Sequence, residues 1–188
     1  MSGPDRETPG EDGIDLGAPA PFRRHPATLD AAELLQHCTV TTGRAGGPGG
    51  QHRNKVETRV VVVHDATGCL GEGSETRSRE RNRAAAVQRL RVNLALALRG
   101  DGLADPAARA VVDRRSPAGF KLNPLHADWP VVLAAVLDEC ALERWDVRAA
   151  GRRLGVSASR VVRALKIEPR AQTLLNDRRA ALGLRALK

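Results

Sequence analysis

The sequence predicts an α+β protein in which a short β-sheet packs on a long basic helix, followed by an all-α bundle with a helix-turn-helix-like motif. Three features of the 188-residue chain predict this arrangement. Residues 56–64 are rich in β-branched side chains and are separated from residues 69–74 by a turn sequence. Residues 77–99 carry apolar residues at helical spacing, and from residue 128 onward the pattern is helical throughout.

An acidic tail and one short helix precede the predicted sheet. The net charge is +8, but residues 1–20 hold five acidic residues and one arginine, a net of −4, so the remainder carries +12. The glycines and prolines of this stretch predict disorder over residues 1–24. "TLDAAELLQHC" then predicts a helix with Asp30 as its N-cap and Glu33 three residues later, and "CTVTTG" is a strand candidate.

A hairpin and a long helix come next. "DATG" is the predicted turn between the two strands of the hairpin. The helix over residues 77–99 places Val87, Leu90, Leu94 and Leu98 on one face, and Gly100 is predicted to end it. This segment holds seven arginines and one glutamate, so part of the helix must be a basic face.

The domain organisation follows from these elements. We expect a disordered acidic tail over residues 1–24, an α+β domain over 25–110, a connector over 111–126 and a helical domain over 127–188. Within the Gly- and Pro-containing stretch before residue 127, "DRRSPAGFKLN" is a candidate for a short extended piece. Asp128 is the predicted N-cap of the next helix, with Pro130 in its first turn. "AAGRRLGVSASRVVRALK" predicts two helices with a turn at Gly155, and "EPRAQTLLNDRRAALG" predicts the last helix.

Composition limits the functional classes. Hydrophobic residues make up 41% of the chain and aromatic residues 2%, so we expect an Ala, Val and Leu core anchored by Phe22, Phe120, Trp129 and Trp145, without a deep aromatic pocket. The isoelectric point of about 10.6 favours an anionic partner, foremost a nucleic acid. No apolar run approaches the ~20 residues that span a membrane, and no signal peptide is recognisable, so we expect a cytoplasmic monomer.

The cysteines point to no metal chemistry. Cys38, Cys69 and Cys140 are odd in number and show neither a CxxC motif nor Cys/His ligand spacing. We therefore expect buried free thiols in a reducing compartment, with no metal and no cofactor.

The segment "GRAGGPGGQHRNKVET", residues 43–58, admits three interpretations. A dinucleotide or P-loop phosphate site requires GxGxxG or GxxxxGK[ST], and neither spacing is present. A flexible linker explains the glycines and the proline, but it does not explain Arg44, Arg53 and Lys55 so close to a strong strand.

The third interpretation is a tip that approaches another molecule. Gly49 and Gly50 permit positive φ and close backbone approach, and Pro48 stiffens the segment before them. Gln51 then offers a backbone N–H and a neutral amide that can orient water. Because neither group is a strong base, such a tip would act in a site that supplies the rest of the chemistry.

"GGPGGQHRNKVET" strongly resembles the catalytic loop of class I peptide chain release factors and of the related ribosome-rescue peptidyl-tRNA hydrolases. "HDATG" resembles the His-x-x-Thr-Gly turn of that family, at His64, Thr67 and Gly68. The family's acidic-x-Arg-Ser-x-x-x-Asn-Lys/Arg run is matched by "ETRSRERNR", at Glu75, Arg77, Ser78, Asn82 and Arg83. The similarity covers about residues 38–99.

The resemblance implies that the α+β domain is a GGQ-type domain whose tip enters the peptidyl transferase centre of the large ribosomal subunit. There it would trigger hydrolysis of the peptidyl-tRNA ester, with Gly49, Gly50 and Gln51 as the catalytic residues. The Gln51 backbone N–H would stabilise the developing oxyanion and the released tRNA hydroxyl, and its side chain would restrict the nucleophile to water. The family's glutamine is often methylated on its side-chain nitrogen, which makes Gln51 a candidate for modification.

The implied partners are the ribosome, peptidyl-tRNA and ribosomal RNA. The residues expected to contact RNA from this domain are Arg44, His52, Arg53, Asn54, Lys55, Arg77, Arg81 and Arg83.

Departures from the family narrow the expected activity. Stop-codon-reading members carry large extra domains with a decoding motif, whereas only the tail and one short helix precede the loop here. We therefore expect codon-independent rescue of stalled ribosomes. Rescue hydrolases of this kind end in a disordered basic tail, but residues 144–188 combine twelve basic and three acidic residues with predicted helices.

Alternatives stay open at the level of sequence. The GGQ domain could belong to a non-catalytic ribosome- or RNA-binding protein, or the chain could be a DNA-binding regulator that uses its helix-turn-helix. Arg160 and Arg163 on the second helix of the helix-turn-helix are expected to be exposed and to bind ribosomal RNA, with merely solvated charges or contacts with duplex DNA as the alternatives.

Overall fold

The computed structural model describes residues 24–43 and 58–188. Within them the strands and helices are, in chain order, α1 (Ala31–Leu35), β1 (Cys38–Gly43), β2 (Arg59–His64), β3 (Leu70–Gly73), α2 (Arg79–Ala97), α3 (Pro106–Arg115), α4 (Trp129–Leu142), α5 (Val147–Arg153), α6 (Ala158–Leu165) and α7 (Pro169–Ala181). Short 3-10 turns lie at Pro26–Thr28, Gly102–Ala104 and Ser116–Ala118. The predicted α+β class is confirmed. The disorder predicted for residues 1–24 and the anchoring role of Phe22 fall almost entirely outside the described residues.

Helix α1 starts where the sequence predicts. The Asp30 carboxylate accepts hydrogen bonds from the backbone N–H groups of Ala32 and Glu33, both at 2.8 Å. The Glu33 carboxylate accepts in return from the Asp30 backbone N–H, which completes a capping box. Leu34 is the buried residue of this short helix.

The three strands form one antiparallel sheet in the order β1-β2-β3. The β1–β2 ladder runs from the pair Cys38 and His64 to the pair Gly43 and Arg59. Along β2 alternate residues are buried, so one face of the sheet packs on the core. The predicted hairpin is therefore confirmed, and its second strand, Leu70–Gly73, is slightly shorter than the predicted residues 69–74.

Helix α2 lies across the sheet and turns its apolar face toward it. Val87, Leu90 and Leu94 are buried as predicted, and Leu98 is half-buried. The predicted end of this helix at Gly100 is wrong, because α2 ends at Ala97. The Arg99 guanidinium donates hydrogen bonds to carbonyl groups in the last turn of the helix, to Ala95 O at 2.8 Å and to Leu96 O at 2.6 Å.

The segment between the two predicted domains contains a helix. Asp105 caps α3 by accepting from the Ala107 backbone N–H at 2.9 Å, and Pro106 occupies its first turn. No strand forms over residues 113–123, the candidate for a short extended piece. That stretch contains the end of α3, a 3-10 turn and the left-handed residues Gly119 and Phe120.

The helices after residue 127 follow the sequence prediction closely. Asp128 occupies the N-cap of α4, but its carboxylate accepts from Arg114 and Arg115 and makes no capping hydrogen bond. Helices α5 and α6 form the helix-turn-helix, with Gly155 in the left-handed region at φ +69° between them. None of the helices in the described part of the chain is long and apolar enough to cross a membrane.

A single cluster of buried residues runs through both predicted domains. Leu90 and Leu94 of α2 belong to it together with Trp129 and Leu137 of α4. Phe120 and Trp145 are also buried, as the composition predicts. The division into domains stays a prediction, but the two parts share one core.

Candidate functional site

The described β1–β2 ladder ends at the pair Gly43 and Arg59, next to the glycine-rich segment in the sequence. Residues 44–57 connect the two strands and lie outside the described residues. That segment contains the residues predicted for catalysis and most of those predicted for RNA contact from this domain, namely Arg44, Gly49, Gly50, Gln51, His52, Arg53, Asn54 and Lys55. The structure therefore describes the base of the candidate site and the surface beside it.

Asn82 holds the base of the hairpin to the start of α2. Its side chain is completely buried, and its amide nitrogen donates to Thr58 O at 2.6 Å and Thr76 O at 2.8 Å. Its amide oxygen accepts from the Thr76 backbone N–H at 2.9 Å and from Thr76 Oγ1 at 2.8 Å. One side chain thus fixes the residue that enters β2, the loop after β3 and the first turns of α2.

Two glycines of β3 let the sheet approach α2 closely. A Cβ atom on Gly73 would lie 2.0 Å from Asn82 O, and one on Gly71 would lie 2.1 Å from Ala86 O. Any side chain at either position would have to push the sheet away from the helix. The role of this pair was not predicted from the sequence, although two glycines at alternate positions of a strand are a signal of close backbone approach.

Paired charges stiffen the same end of the sheet. Arg59 donates from Nε and Nη2 to the two carboxylate oxygens of Glu72, both at 2.7 Å, across β2 and β3. Arg89 of α2 donates to the Glu72 carbonyl oxygen and to the Glu75 carboxylate. The hydrogen bond from Arg59 lowers the pKa of Glu72, and that from Arg89 lowers the pKa of Glu75. All four charged side chains are substantially exposed, so these pairs position the strands more than they stabilise the fold.

The N-terminus of α2 carries exposed arginines beside the base of the hairpin. Ser78 caps the helix by accepting from the Arg81 backbone N–H at 3.3 Å. Arg77, Arg81 and Arg83 are exposed, as is Arg79, and within the described residues none of them has a side-chain hydrogen bond or ion pair. Cations at this end of a helix oppose the helix dipole, so the cluster favours binding of an anion there.

The His64 turn lies at the other end of the sheet. His64 Nδ1 is 2.8 Å from Thr67 Oγ1, and Gly68 has φ +69°, which closes the turn between β2 and β3. Burial, and secondarily the nearby His37, lowers the pKa of His64. His64 is therefore distant from the glycine-rich segment along the strand and shapes the turn.

The cysteines and the other titratable groups form no second reactive cluster in the described part of the chain. Cys140 is buried, whereas Cys38 and Cys69 are only half-buried, and all three thiols are free. Burial raises the pKa of the Cys140 thiol to about 12. No group of three or more His, Cys, Asp or Glu side chains with the geometry of a metal site occurs among residues 24–43 and 58–188.

Arg160 and Arg163 of α6 are exposed as predicted, but they face different neighbours. Arg160 packs along the turn at Gly119, where a Cβ atom on the glycine would lie 2.9 Å from Arg160 Cδ. Arg163 lines a groove together with Arg148 of α5. The structure therefore assigns these two arginines to two adjacent surfaces.

Comparison with known protein families identifies the part of the chain that carries the hairpin, the sheet and α2. Residues 33–114 match the model of the RF-1 domain. This segment is an RF-1 domain, the GGQ domain of class I release factors. It includes the glycine-rich segment and Asn82, and extends to the last turn of α3.

The relatives of this RF-1 domain are release factors of bacteria. Peptide chain release factor 1 of Paracidovorax citrulli is 38% identical over 90 residues, which are 48% of this chain and 24% of that protein. The corresponding protein of Delftia acidovorans is 41% identical over 76 residues, 40% of this chain and 20% of that protein. Peptide chain release factor 2 of Staphylococcus haemolyticus is 43% identical over 56 residues, 30% of this chain and 15% of that protein.

The similarity thus concerns one domain. The chain spans about a quarter of the length of the release factor 1 relatives that it matches. No solved structure matches the chain significantly.

Proposed function

We propose that this protein hydrolyses the peptidyl-tRNA ester on the ribosome, without reading a codon, and so releases the nascent peptide from stalled ribosomes. The observation that carries the proposal is the RF-1 domain over residues 33–114, which holds "GGPGGQHRNKVET" between two paired strands. The anchoring of Thr58 by Asn82 and the uncompensated arginines at the start of α2 support it, because they place a rigid base and a cationic surface beside that segment.

The chemistry proposed for the glycine-rich segment uses one backbone donor. The Gln51 N–H stabilises the oxyanion that forms when water attacks the ester carbonyl, and then the hydroxyl of the departing tRNA. Gly49 and Gly50 allow the backbone shape that presents this N–H, and the Gln51 side chain admits water as the nucleophile. The ribosome supplies the rest of the site, so neither a metal nor a cofactor is part of the proposal.

We propose that the protein contacts RNA as well as the nascent chain. Arg77, Arg81 and Arg83 are exposed at a helix end where positive charge is unfavourable, and phosphate groups of ribosomal RNA or tRNA relieve that repulsion. Arg44, His52, Arg53, Asn54 and Lys55 of the loop extend the same contact surface. The protein then works as a monomer in the cytoplasm, where ribosomes are found.

The test of catalysis is the release of labelled peptide from stalled ribosome complexes. Gly50→Ala removes the freedom of the backbone, and we expect it to slow release by ~100-fold or more, the scale of losing an oxyanion donor. We expect a large loss for Gln51→Ala too, through access of water, although this variant keeps the backbone N–H. Matched controls are Gly43→Ala, whose added Cβ meets no atom of the described residues within 4 Å, and Gln36→Ala at the exposed C-cap of α1; both should release peptide at the wild-type rate.

Two outcomes would overturn the catalytic assignment. Equal release by wild type, Gly50→Ala and Gln51→Ala would show that the loop is not the catalytic element. Ribosome binding by the wild type without any release would favour the non-catalytic RNA-binding alternative.

Codon independence needs a separate comparison. Complexes that carry a stop codon, a sense codon or no codon in the A site should be hydrolysed at similar rates if no codon is read. Complexes in which mRNA fills the channel beyond the A site should react more slowly if the protein acts on stalled ribosomes. A requirement for a stop codon would contradict the rescue assignment but leave the catalytic one intact.

A further inference from the structure

A basic groove lies on the helix-turn-helix, separate from the RF-1 domain. It has a volume of about 450 Å³, and its walls come from the start of α5, the exposed face of α6 and the segment after α7. Its lining residues are Val147, Arg148, Ala158, Ser159, Val162, Arg163, Lys166, Leu187 and Lys188. Four of these nine side chains are cationic and none is acidic, so the groove has a strongly positive potential.

The cations of the groove are not used by the fold. Arg148, Arg163 and Lys166 are exposed, and in the described part of the chain none of their side chains has an ion pair or hydrogen bond. Other arginines of the same helical region already form ion pairs: Arg153 contacts Glu139 and Arg170 contacts Glu168. The groove thus concentrates charges that burial and pairing leave available.

The third wall of the groove, the segment after α7, is held in place by hydrogen bonds from side chains of α7. Asn176 Oδ1 accepts from the Leu187 backbone N–H at 2.8 Å, and Asn176 Nδ2 donates to the Leu187 carbonyl oxygen at 3.1 Å. Gln172 Nε2 donates to the same carbonyl at 3.4 Å. These bonds set Leu187 beside Arg163 and Lys166 and give the groove a fixed width.

The surroundings of α6 restrict what kind of ligand fits. The turn at Gly119 packs against the Arg160 side of the helix, and Ser116 Oγ lies 4.0 Å from the Cβ position of Gly155 in the helix-turn-helix turn. The turn at residues 116–119 therefore lies against the Arg160 side chain and near the turn before α6, which opposes deep insertion of this helix into a DNA major groove. The groove offers no aromatic side chain on which unpaired bases could stack.

A double helix contacted only through its phosphates satisfies all of these features. We propose that Arg148, Arg163 and Lys166 form a second nucleic-acid surface that binds the phosphate backbone of double-helical RNA, independent of sequence. The choice of RNA over DNA rests on the proposed function, because an RF-1 domain that shares one core with these helices carries the groove onto a particle made of folded RNA.

The test measures binding of the full chain to a fluorescent RNA hairpin by anisotropy over a range of KCl concentrations. Replacement of the three cations by glutamine, R148Q/R163Q/K166Q, should weaken binding roughly tenfold or more at low salt. It should also make the slope of log K against log salt less negative by about 2 to 3, close to one unit for each lost phosphate contact. The binding assay contains no ribosome and no ester, so failure of the release activity would not affect it.

A matched triple variant controls for net charge. R109Q/K121Q/R144Q removes two arginines and one lysine from exposed positions outside the groove, where the only ion pair is the 3.9 Å contact of Arg109 with Asp113. This control should bind RNA like the wild type in affinity and salt slope. Equal weakening by both triple variants would overturn the proposal, because binding would then follow net charge alone.

A charge-preserving variant tests whether phosphates are the contact. R148K/R163K keeps both charges, so its salt slope should match that of the wild type if phosphates are the contact, and its affinity should fall only a few-fold because the planar arginine fork also pairs with phosphate. A salt slope reduced as far as in R148Q/R163Q/K166Q, or tighter sequence-selective binding to a DNA duplex than to RNA, would contradict the proposal. Melting curves of all variants verify that each is folded.

Discussion

At the scale of single residues, Asn82 has the greatest structural consequence near the candidate site. It is the only link that joins Thr58, at the exit of the glycine-rich segment, to α2 by side-chain hydrogen bonds in the described part of the chain. Its side chain is completely buried and makes four hydrogen bonds to Thr58 and Thr76, which are themselves half-buried. The motif in the sequence marks this asparagine, but only the fold shows that it serves as an anchor.

We expect Asn82→Ala to lower the free energy of unfolding by ~2–4 kcal/mol, since it removes the four hydrogen bonds of a completely buried side chain. Asn82→Asp should be similarly harmful, because it replaces the donating nitrogen by an oxygen that faces the Thr58 and Thr76 carbonyl groups. Urea unfolding followed by circular dichroism measures both. Asn123→Ala is the control: Asn123 is exposed and bonds only within its turn, to the Leu125 N–H, so its loss should be below ~1 kcal/mol. Equal effects of Asn82→Ala and Asn123→Ala would contradict the anchoring role.

At the scale of elements, the end of α2 is joined to α4 by a buried polar network. Arg99 Nη1 is 3.3 Å from Asp138 Oδ1, which also accepts from the Gly100 backbone N–H at 3.0 Å. His25 lies beside this pair, with Nδ1 accepting from the Ala27 N–H and Nε2 3.4 Å from Leu98 O. Burial, reinforced by Arg99, lowers the pKa of His25 to about 4, and burial raises the pKa of Asp138 to about 6 against the pull of Arg99.

The two shifted pKa values have opposite effects on stability in the same pH range. Between pH 4 and 6 the folded state binds fewer protons at His25 than the unfolded chain does, so this group makes stability rise with pH. Over that range the folded state binds more protons at Asp138, so this group makes stability fall as pH rises. In the wild type the two contributions largely offset each other.

Single substitutions should therefore uncover slopes of opposite sign. Relative to wild type, the unfolding free energy of Asp138→Asn should rise from pH 4 to 6, and that of His25→Asn should fall, each by up to ~1.4 kcal/mol per pH unit. Urea unfolding at several pH values measures the differences, in which the other carboxylates cancel. Differences of the same sign for both variants would show that the network does not titrate in this way.

The sequence predicted most elements from local signals and failed where the deciding partner is distant. The capping box of α1, the alternation of β2 and the helix-turn-helix are local patterns, and each is confirmed. The end of α2 depends on Arg99, whose orientation is fixed by Asp138 in another helix. The glycines and prolines before residue 127 suggested a connector, but Pro106 begins a helix, because proline fits the first turn.

At the scale of the whole molecule, the motif of the candidate site could be predicted because its residues are contiguous in the sequence. The residues that support the motif in the fold are not contiguous, so their role could not be predicted. The GGQ segment and its flanking residues were recognised from sequence alone, and the RF-1 match confirms the family. The close approach of Gly71 and Gly73 to α2 brings together positions that are far apart in sequence. The groove on α5 and α6 could likewise be found only in the structure, because one of its walls depends on the hydrogen bond between Leu187 and Asn176.

The shared core predicts that the RF-1 domain and the helical part unfold together. Both tryptophans of the chain, Trp129 and Trp145, lie in the helical part, so their fluorescence reports unfolding there. Gly73→Ala acts at the contact between the sheet and α2, where its Cβ would lie 2.0 Å from Asn82 O, and the resulting strain should lower stability by about 1–3 kcal/mol or more. If the core is one cooperative unit, the urea midpoint from tryptophan fluorescence should fall by the same amount as the midpoint from circular dichroism.

Gly43→Ala provides the matched control in the neighbouring part of the sheet, because its added Cβ meets no atom of residues 24–43 and 58–188 within 4 Å. It should leave both midpoints close to those of the wild type. A fluorescence midpoint that stays at the wild-type value in Gly73→Ala, while circular dichroism shows a separate earlier step, would mean that the two parts unfold independently. Coincident shifts would instead mean that strain at the base of the GGQ hairpin is transmitted through α2 and α4 to the helix-turn-helix, which would make the helical part a fixed extension of the RF-1 domain.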